Sequence, residues 1–88
     1  MPPNRKLILK SKIHRKIMLF FVENERSIDT PRGLSAWTNE DIKKVTEALE
    51  GLTAAGLLKA HRISSTVGYS CALNKKELKI LIAELKSY

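Results

Sequence analysis

The chain has 88 residues, one domain near the lower end of what folds without disulfide or metal staples. An apolar content of 43% suits a single core, and a lone cysteine, Cys71, excludes an intramolecular disulfide. Sixteen Lys and Arg against nine Asp and Glu leave a formal net charge of +7, which suits a polyanionic partner, either nucleic acid or an anionic membrane surface.

The start, Met1 to Asn4, lacks the apolar run of a secretory leader. The longest apolar run, Ile17 to Val22, is six residues, against the ~20 that a membrane span needs. Both observations predict a cytoplasmic protein without membrane contact. Residues 1–10 read as a basic arm in which Arg5, Lys6 and Lys10 flank Leu7-Ile8-Leu9, and no acid occurs before Lys16.

The first helix is predicted over 11–25 with Ser11 as N-cap. Ile13, Ile17, Phe20 and Phe21 share one face at helical spacing. Met18 and Val22 form a second apolar stripe beside it, a candidate contact with a second copy of the chain. Ile28-Asp29-Thr30-Pro31 breaks the pattern, with Thr30 as N-cap and Pro31 at the first helical position. A short helix to about Trp37 follows, its inner face formed by Leu34 and Trp37. Thr38 with Asp41 three residues on resembles a capping box that uses the shorter acid. The next helix, 39–55, turns Ile42, Val45, Leu49 and Leu52 inward, and Gly56 stands where a left-handed C-cap residue belongs. After Gly56 the period changes: 57–64 and 69–73 read as strands and 64–68 as the turn between them. Asn74 caps a last helix, Lys75 to Lys86 within the C-terminal stretch 75–88, with a seam of Leu78, Leu81, Ile82 and Leu85.

The expected fold class is α+β, mainly α with a small β-hairpin, in the order helix, helix, helix, hairpin, helix, as one domain over 1–88. That is the layout of a winged helix-turn-helix. The segment from Gly33 through Thr38-Asn39-Glu40-Asp41 to Val45 is similar in pattern to the helix-turn-helix of the MarR-like and ArsR-like regulators of prokaryotes. The run Leu49-Glu50-Gly51-Leu52-Thr53-Ala54-Ala55-Gly56-Leu57-Leu58 resembles the exit from their recognition helix into the wing, L-x-x-L-x-x-x-G-L-[LI]. The resemblance covers about residues 11 to 74 and does not single out a subfamily. It implies a double-stranded DNA partner, helix 39–55 in the major groove, a wing over 59–70 at the backbone or minor groove, and a homodimer formed by the terminal helices.

Side-chain chemistry points the same way. A recognition helix needs a polar outer face that can enter the ~12 Å major groove. Here that face carries Asn39, Glu40, Lys43, Lys44 and Glu47, with lysines suited to phosphate or guanine and Asn39 to adenine. Thr30, Arg32 and Ser35 suit backbone phosphates, Thr38 is a further candidate DNA contact, and the wing offers Lys59, His61 and Arg62 with Ser64, Ser65 and Thr66 at its tip. Arg62 is the preferred wing contact. Met18, Val22, Leu78, Leu81, Ile82 and Leu85 are the candidate dimer surface. Glu40 and Asp41 oppose this picture if they face a phosphate, and support the helix if they face its positive end.

Catalysis is not expected, because no Gly-rich phosphate loop, carboxylate pair or nucleophile triad is present. His14, His61 and Cys71 lack C-x-x-C or H-x-x-x-H spacing, so no metal or other cofactor is expected, and Cys71 reads as a small core hydrophobe. The leading reading is a sequence-specific DNA-binding transcriptional regulator without enzymatic activity. Two others stay open: a winged helix that docks on a protein through its 39–47 face, and a nucleoid-type protein that binds duplex without sequence preference. Operator and effector are not legible in the sequence.

Overall fold

The computed structural model of the chain describes residues 11–86; the basic arm predicted over 1–10 and residues 87–88 lie outside the described residues. These form α1 (Lys12–Glu23), α2 (Pro31–Thr38), α3 (Ile42–Ala54), β1 (Leu58–Ile63), β2 (Thr66–Cys71) and α4 (Lys75–Lys86), in the predicted order. Among them no helix is long and apolar enough to cross a membrane.

Local chemistry sets the helix ends. Ser11 occupies the N-cap of α1 without a side-chain capping bond. The helix stops at Glu23, short of the predicted 25: Asn24, at φ −128° and ψ 60°, leaves the helical conformation, and its side-chain amide donates to the Phe20 carbonyl at 2.8 Å. Thr30 caps α2 as expected, its hydroxyl accepting from the Gly33 amide at 3.2 Å, with Pro31 at the first helical position. The capping box at Thr38 does not form. Thr38 is the last residue of α2, buried, and its hydroxyl donates to the Leu34 carbonyl one turn back at 2.7 Å, so it belongs to the end of α2 rather than to the start of the next helix. The chain instead turns at Asn39, left-handed at φ 58°, and Asp41 becomes the N-cap of α3, accepting from the Lys44 amide at 3.4 Å. Gly56, at φ +80°, ends α3. The Leu57 amide reaches back to the Leu52 carbonyl and the Gly56 amide to Thr53, both at 3.0 Å, which satisfies the last helical carbonyls.

The hairpin turn is tighter than predicted, and the second strand begins three residues earlier, at Thr66. The antiparallel register runs from Leu58↔Cys71 to Ile63↔Thr66, so only Ser64 and Ser65 turn, with Ser64 at φ 52°. Gly68, read as a turn residue, lies inside β2 opposite His61, where neighbours leave no room for a side chain. A Cβ there would stand 2.6 Å from Ile28 Cγ2 and 2.9 Å from Ile63 Cδ1. The segment before α2 also joins this sheet: Asp29 and Tyr69 exchange backbone hydrogen bonds of 3.0 and 2.7 Å.

The core draws Ile17, Met18 and Phe21 from α1, Leu34 from α2, Val45, Leu49 and Leu52 from α3, Leu57 after it and Leu81 from α4, all fully buried. Leu78 and Leu85 are also buried. The surplus apolar surface expected of α1 and α4 is therefore mostly absent: Met18, Leu78, Leu81 and Leu85 close the chain's own core. Val22 and Ile82 alone of that set keep partial exposure. Two inward readings are also revised. Trp37 is 51% exposed, resting edge-on against Phe20 with ring centroids 5.1 Å apart, and Ile42 is 45% exposed.

His14 is the strained polar group of the α1–α3 contact. Its Nδ1 is buried without a partner, and Nε2 lies 3.6 Å from where a Cβ on Gly51 would stand. Burial lowers its pKa below the ordinary 6.5, so the unfolded chain takes up this proton more readily than the folded one. The resulting stability is present above the unfolded pKa and is lost as pH falls through the window between 6.5 and the lower folded value. The urea midpoint is expected to drop as the pH falls below 6.5, and His14→Gln should flatten that part of the profile. An undiminished slope in the variant would assign it to other groups.

Candidate nucleic-acid interface

Because α3 buries Val45, Ala48, Leu49 and Leu52, the residues between them on the helical wheel must point out. Lys43, Lys44 and Glu47 are exposed, as is Asn39 in the turn ahead of them. Arg32, the second residue of α2, and Arg62, Ser64, Ser65 and Thr66 of the hairpin are exposed too. Arg62 pairs with Val67, on the hairpin face that also carries Leu58 and Tyr69, but nearer the tip than the buried part.

Three elements converge on this side. Thr30, Pro31 and Arg32 of the α2 start, Ile42 and Thr46 of α3, and Thr66 at the hairpin turn line an open cleft of about 460 Å³. Of the predicted contacts, the fold thus gathers Thr30, Arg32 and Thr66 beside α3. Two others are occupied internally. Thr38 is 5% exposed, and the half-buried Ser35 donates its hydroxyl to the Glu40 carbonyl at 2.6 Å; both hold the turn.

Both acids at the start of α3 have a partner inside the chain. Lys16 of α1 lies 3.1 Å from the Glu40 carboxylate and donates also to the Thr38 carbonyl at 3.4 Å. A half-exposed pair of this kind adds only about 0–1 kcal/mol of stability. Its larger effect is positional, binding the turn to α1 and matching the Glu40 charge. Asp41 is spent on the α3 cap. The outward cations Arg32, Lys43, Lys44 and Arg62 therefore face solvent with Glu47 as the acid among the predicted contacts.

Sequence reasoning missed Ile42 and Thr46. The spacing Ile42, Val45, Leu49, Leu52 reads as one inward stripe, yet Ile42 is the first helical residue after the Asp41 cap and projects past the edge of the core. Recognising Asp41 rather than Thr38 as the cap is the signal that would have found it.

On the hairpin, His61 Nε2 and Ser70 Oγ lie 2.7 Å apart. Among the described residues no three His, Cys, Asp or Glu side chains come together as a metal site would need. Cys71 is half-buried against the core, and burial raises its thiol pKa, which disfavours the reactive thiolate.

No family model matches this sequence, and no curated protein matches it. Among solved structures the chain is similar to a Mycobacterium bovis domain studied by solution NMR, the homodimeric winged helix-turn-helix DNA-binding domain of a possible ArsR-family transcriptional regulator. The two share 17% identity and a TM-score of 0.67, over 92% of this chain and 70% of that one. Together with the element order and the hairpin register, this likeness shows that the chain has the winged helix-turn-helix fold.

Proposed function

We propose that the chain binds double-stranded DNA as a small cytoplasmic transcriptional regulator without enzymatic activity. The outer face of α3 enters the major groove, and the wing meets the backbone or minor groove through Arg62 and the Ser64-Ser65 turn. The observation that carries this reading is the cleft in which Thr30 and Arg32 of the α2 start, the start of α3 and Thr66 of the hairpin meet, with Lys43 and Lys44 exposed on α3, while Glu40 and Asp41 are engaged within the fold. A homodimer is part of the proposal. Its support is the homodimeric state of the similar domain and a small apolar groove between α1 and α4, lined by Leu19, Val22, Ile82, Leu85 and Lys86.

The test is duplex binding across a salt series. Affinity for a randomised duplex should fall steeply with salt, and enrichment from the library should yield a preferred sequence. Replacing Lys43 and Lys44 together with Ala should leave the helical content intact and weaken binding. For every phosphate that is no longer neutralised, the magnitude of the log–log salt slope should drop by about 0.9. An unchanged slope and affinity would remove α3 from the interface. Equal affinity for every sequence would replace regulation at defined sites by general duplex coating.

A further inference from the structure

From Lys43 to Glu50 the exposed residues of α3 are all charged, whereas its first residue is apolar. Ile42 is 45% exposed although its own helix completes the core without it, through Val45, Ala48, Leu49 and Leu52. One turn on, Thr46 donates its hydroxyl to the Ile42 carbonyl at 2.8 Å, which satisfies that hydroxyl within its own helix. These two side chains line the cleft together with Thr30, Pro31, Arg32 and Thr66. The exposed lysines Lys43 and Lys44 follow directly in sequence. An apolar spot by itself would suit many partners, but one that shares its cleft with Arg32, on a helix whose exposed residues include Lys43 and Lys44, suits a polyanion that carries hydrocarbon. In the major groove of B-DNA that hydrocarbon is the C5-methyl of thymine, the apolar mark among the donors and acceptors of the base edges.

We propose that Ile42, with the methyl of Thr46, receives a thymine C5-methyl and so makes one position of the bound site a T·A pair. This inference rests on the duplex-binding reading above and assigns the base that the cleft selects. It separates two jobs on one helix: Lys43 and Lys44 supply affinity that depends on salt, and Ile42 supplies discrimination that does not.

The experiment starts from the duplex that the full chain enriches out of a randomised thymine-containing library. Each thymine is replaced singly by deoxyuridine, which lacks only the C5-methyl, and Kd is measured for the wild type and for Ile42→Ala. At one position per half-site, uracil should raise the wild-type Kd about fourfold, the effect of exposing one buried methyl. Ile42→Ala should bind the thymine duplex correspondingly more weakly and no longer distinguish thymine from uracil there, and Ile42→Val should restore most of the difference. Since Ile42 is outside the core, the variants are expected to keep the wild-type circular dichroism spectrum. Equal wild-type affinity for every uracil duplex overturns the inference, as does a uracil penalty that persists in Ile42→Ala. Duplex binding without any enriched sequence overturns it too and leaves the binding face standing. Absence of duplex binding overturns the functional reading itself.

Discussion

Leu81→Ala is expected to remove about 2–5 kcal/mol of folding stability, the usual cost of deleting a buried leucine side chain, and Leu81→Asp to unfold the domain. Leu81 is 0% exposed and belongs to the same cluster as Ile17, Met18 and Phe21 of α1. The loss is large against the total, which for 88 residues is roughly 4–13 kcal/mol at 0.05–0.15 kcal/mol per residue. An aspartate there would have to leave a carboxylate unpaired in an apolar interior, which the fold has no partner to offset. Urea denaturation of Leu81→Ala should show a lower midpoint at unchanged m-value. The opposing result is a Leu81→Asp protein that melts cooperatively like the wild type and differs only in its association state. That would move Leu81 from the core to an interface between copies.

That prediction departs from what the seam of α4 suggests as a sequence, and the reason is general. Periodicity tells which residues share a face but not what the face meets. Leu78, Leu81 and Leu85 read equally well as a core stripe or a dimer stripe, and only the position of α4 against α1 decides between them. The same limit put Ile42 and Trp37 inside: each extends an inward stripe by one step at a helix end, where the core has already run out. By contrast, Thr30-Pro31, Gly56 and the hairpin were readable because each depends on the chemistry of one or two residues rather than on the neighbour across the fold. The Asp29–Tyr69 pairing left no trace in the sequence, since a strand contribution of one residue has no period to detect. For the candidate interface, exposed Arg32, Lys43, Lys44 and Arg62 could be named from patterning. The Lys16–Glu40 contact, 24 positions apart in sequence, could not, and neither could the burial of Thr38.

Gly33→Ala is expected to destabilise the domain by about 1–2 kcal/mol, against the usual gain of about 1 kcal/mol when a helical glycine becomes alanine. The sign is set by Asp29. A Cβ on Gly33 would collide with its Oδ1 and stand 3.1 Å from its Cγ, and the same Oδ1 accepts the Thr30 amide at 2.8 Å. The carboxylate cannot retreat with its backbone, which is tied to Tyr69 by two hydrogen bonds. It must give up the Thr30 amide or push the start of α2 aside, and an amide left without a partner costs about 1–3 kcal/mol. A thermal melt should show the transition lowered by about 4–8 °C per kcal/mol for a domain of this size. Adding Asp29→Ala to Gly33→Ala should cost less than the two changes separately, because the second removes the obstacle that makes the first expensive. Strict additivity, or a stabilised Gly33→Ala, would mean that the carboxylate moves away freely.

The two hydrogen bonds between Asp29 and Tyr69 fasten the hairpin to the residue just before the α2 cap. A swing of the hairpin would break these bonds and loosen the start of α2, so they restrain the tilt of the hairpin in the free chain. A receptor whose parts are already fixed loses little freedom on binding, but it also cannot adjust to a ligand of the wrong shape. If the chain binds duplex DNA as proposed, the adjustment then falls on the nucleic acid. Steps that kink or narrow cheaply would be favoured between the region under α3 and the region under the wing, at base pairs that no side chain touches.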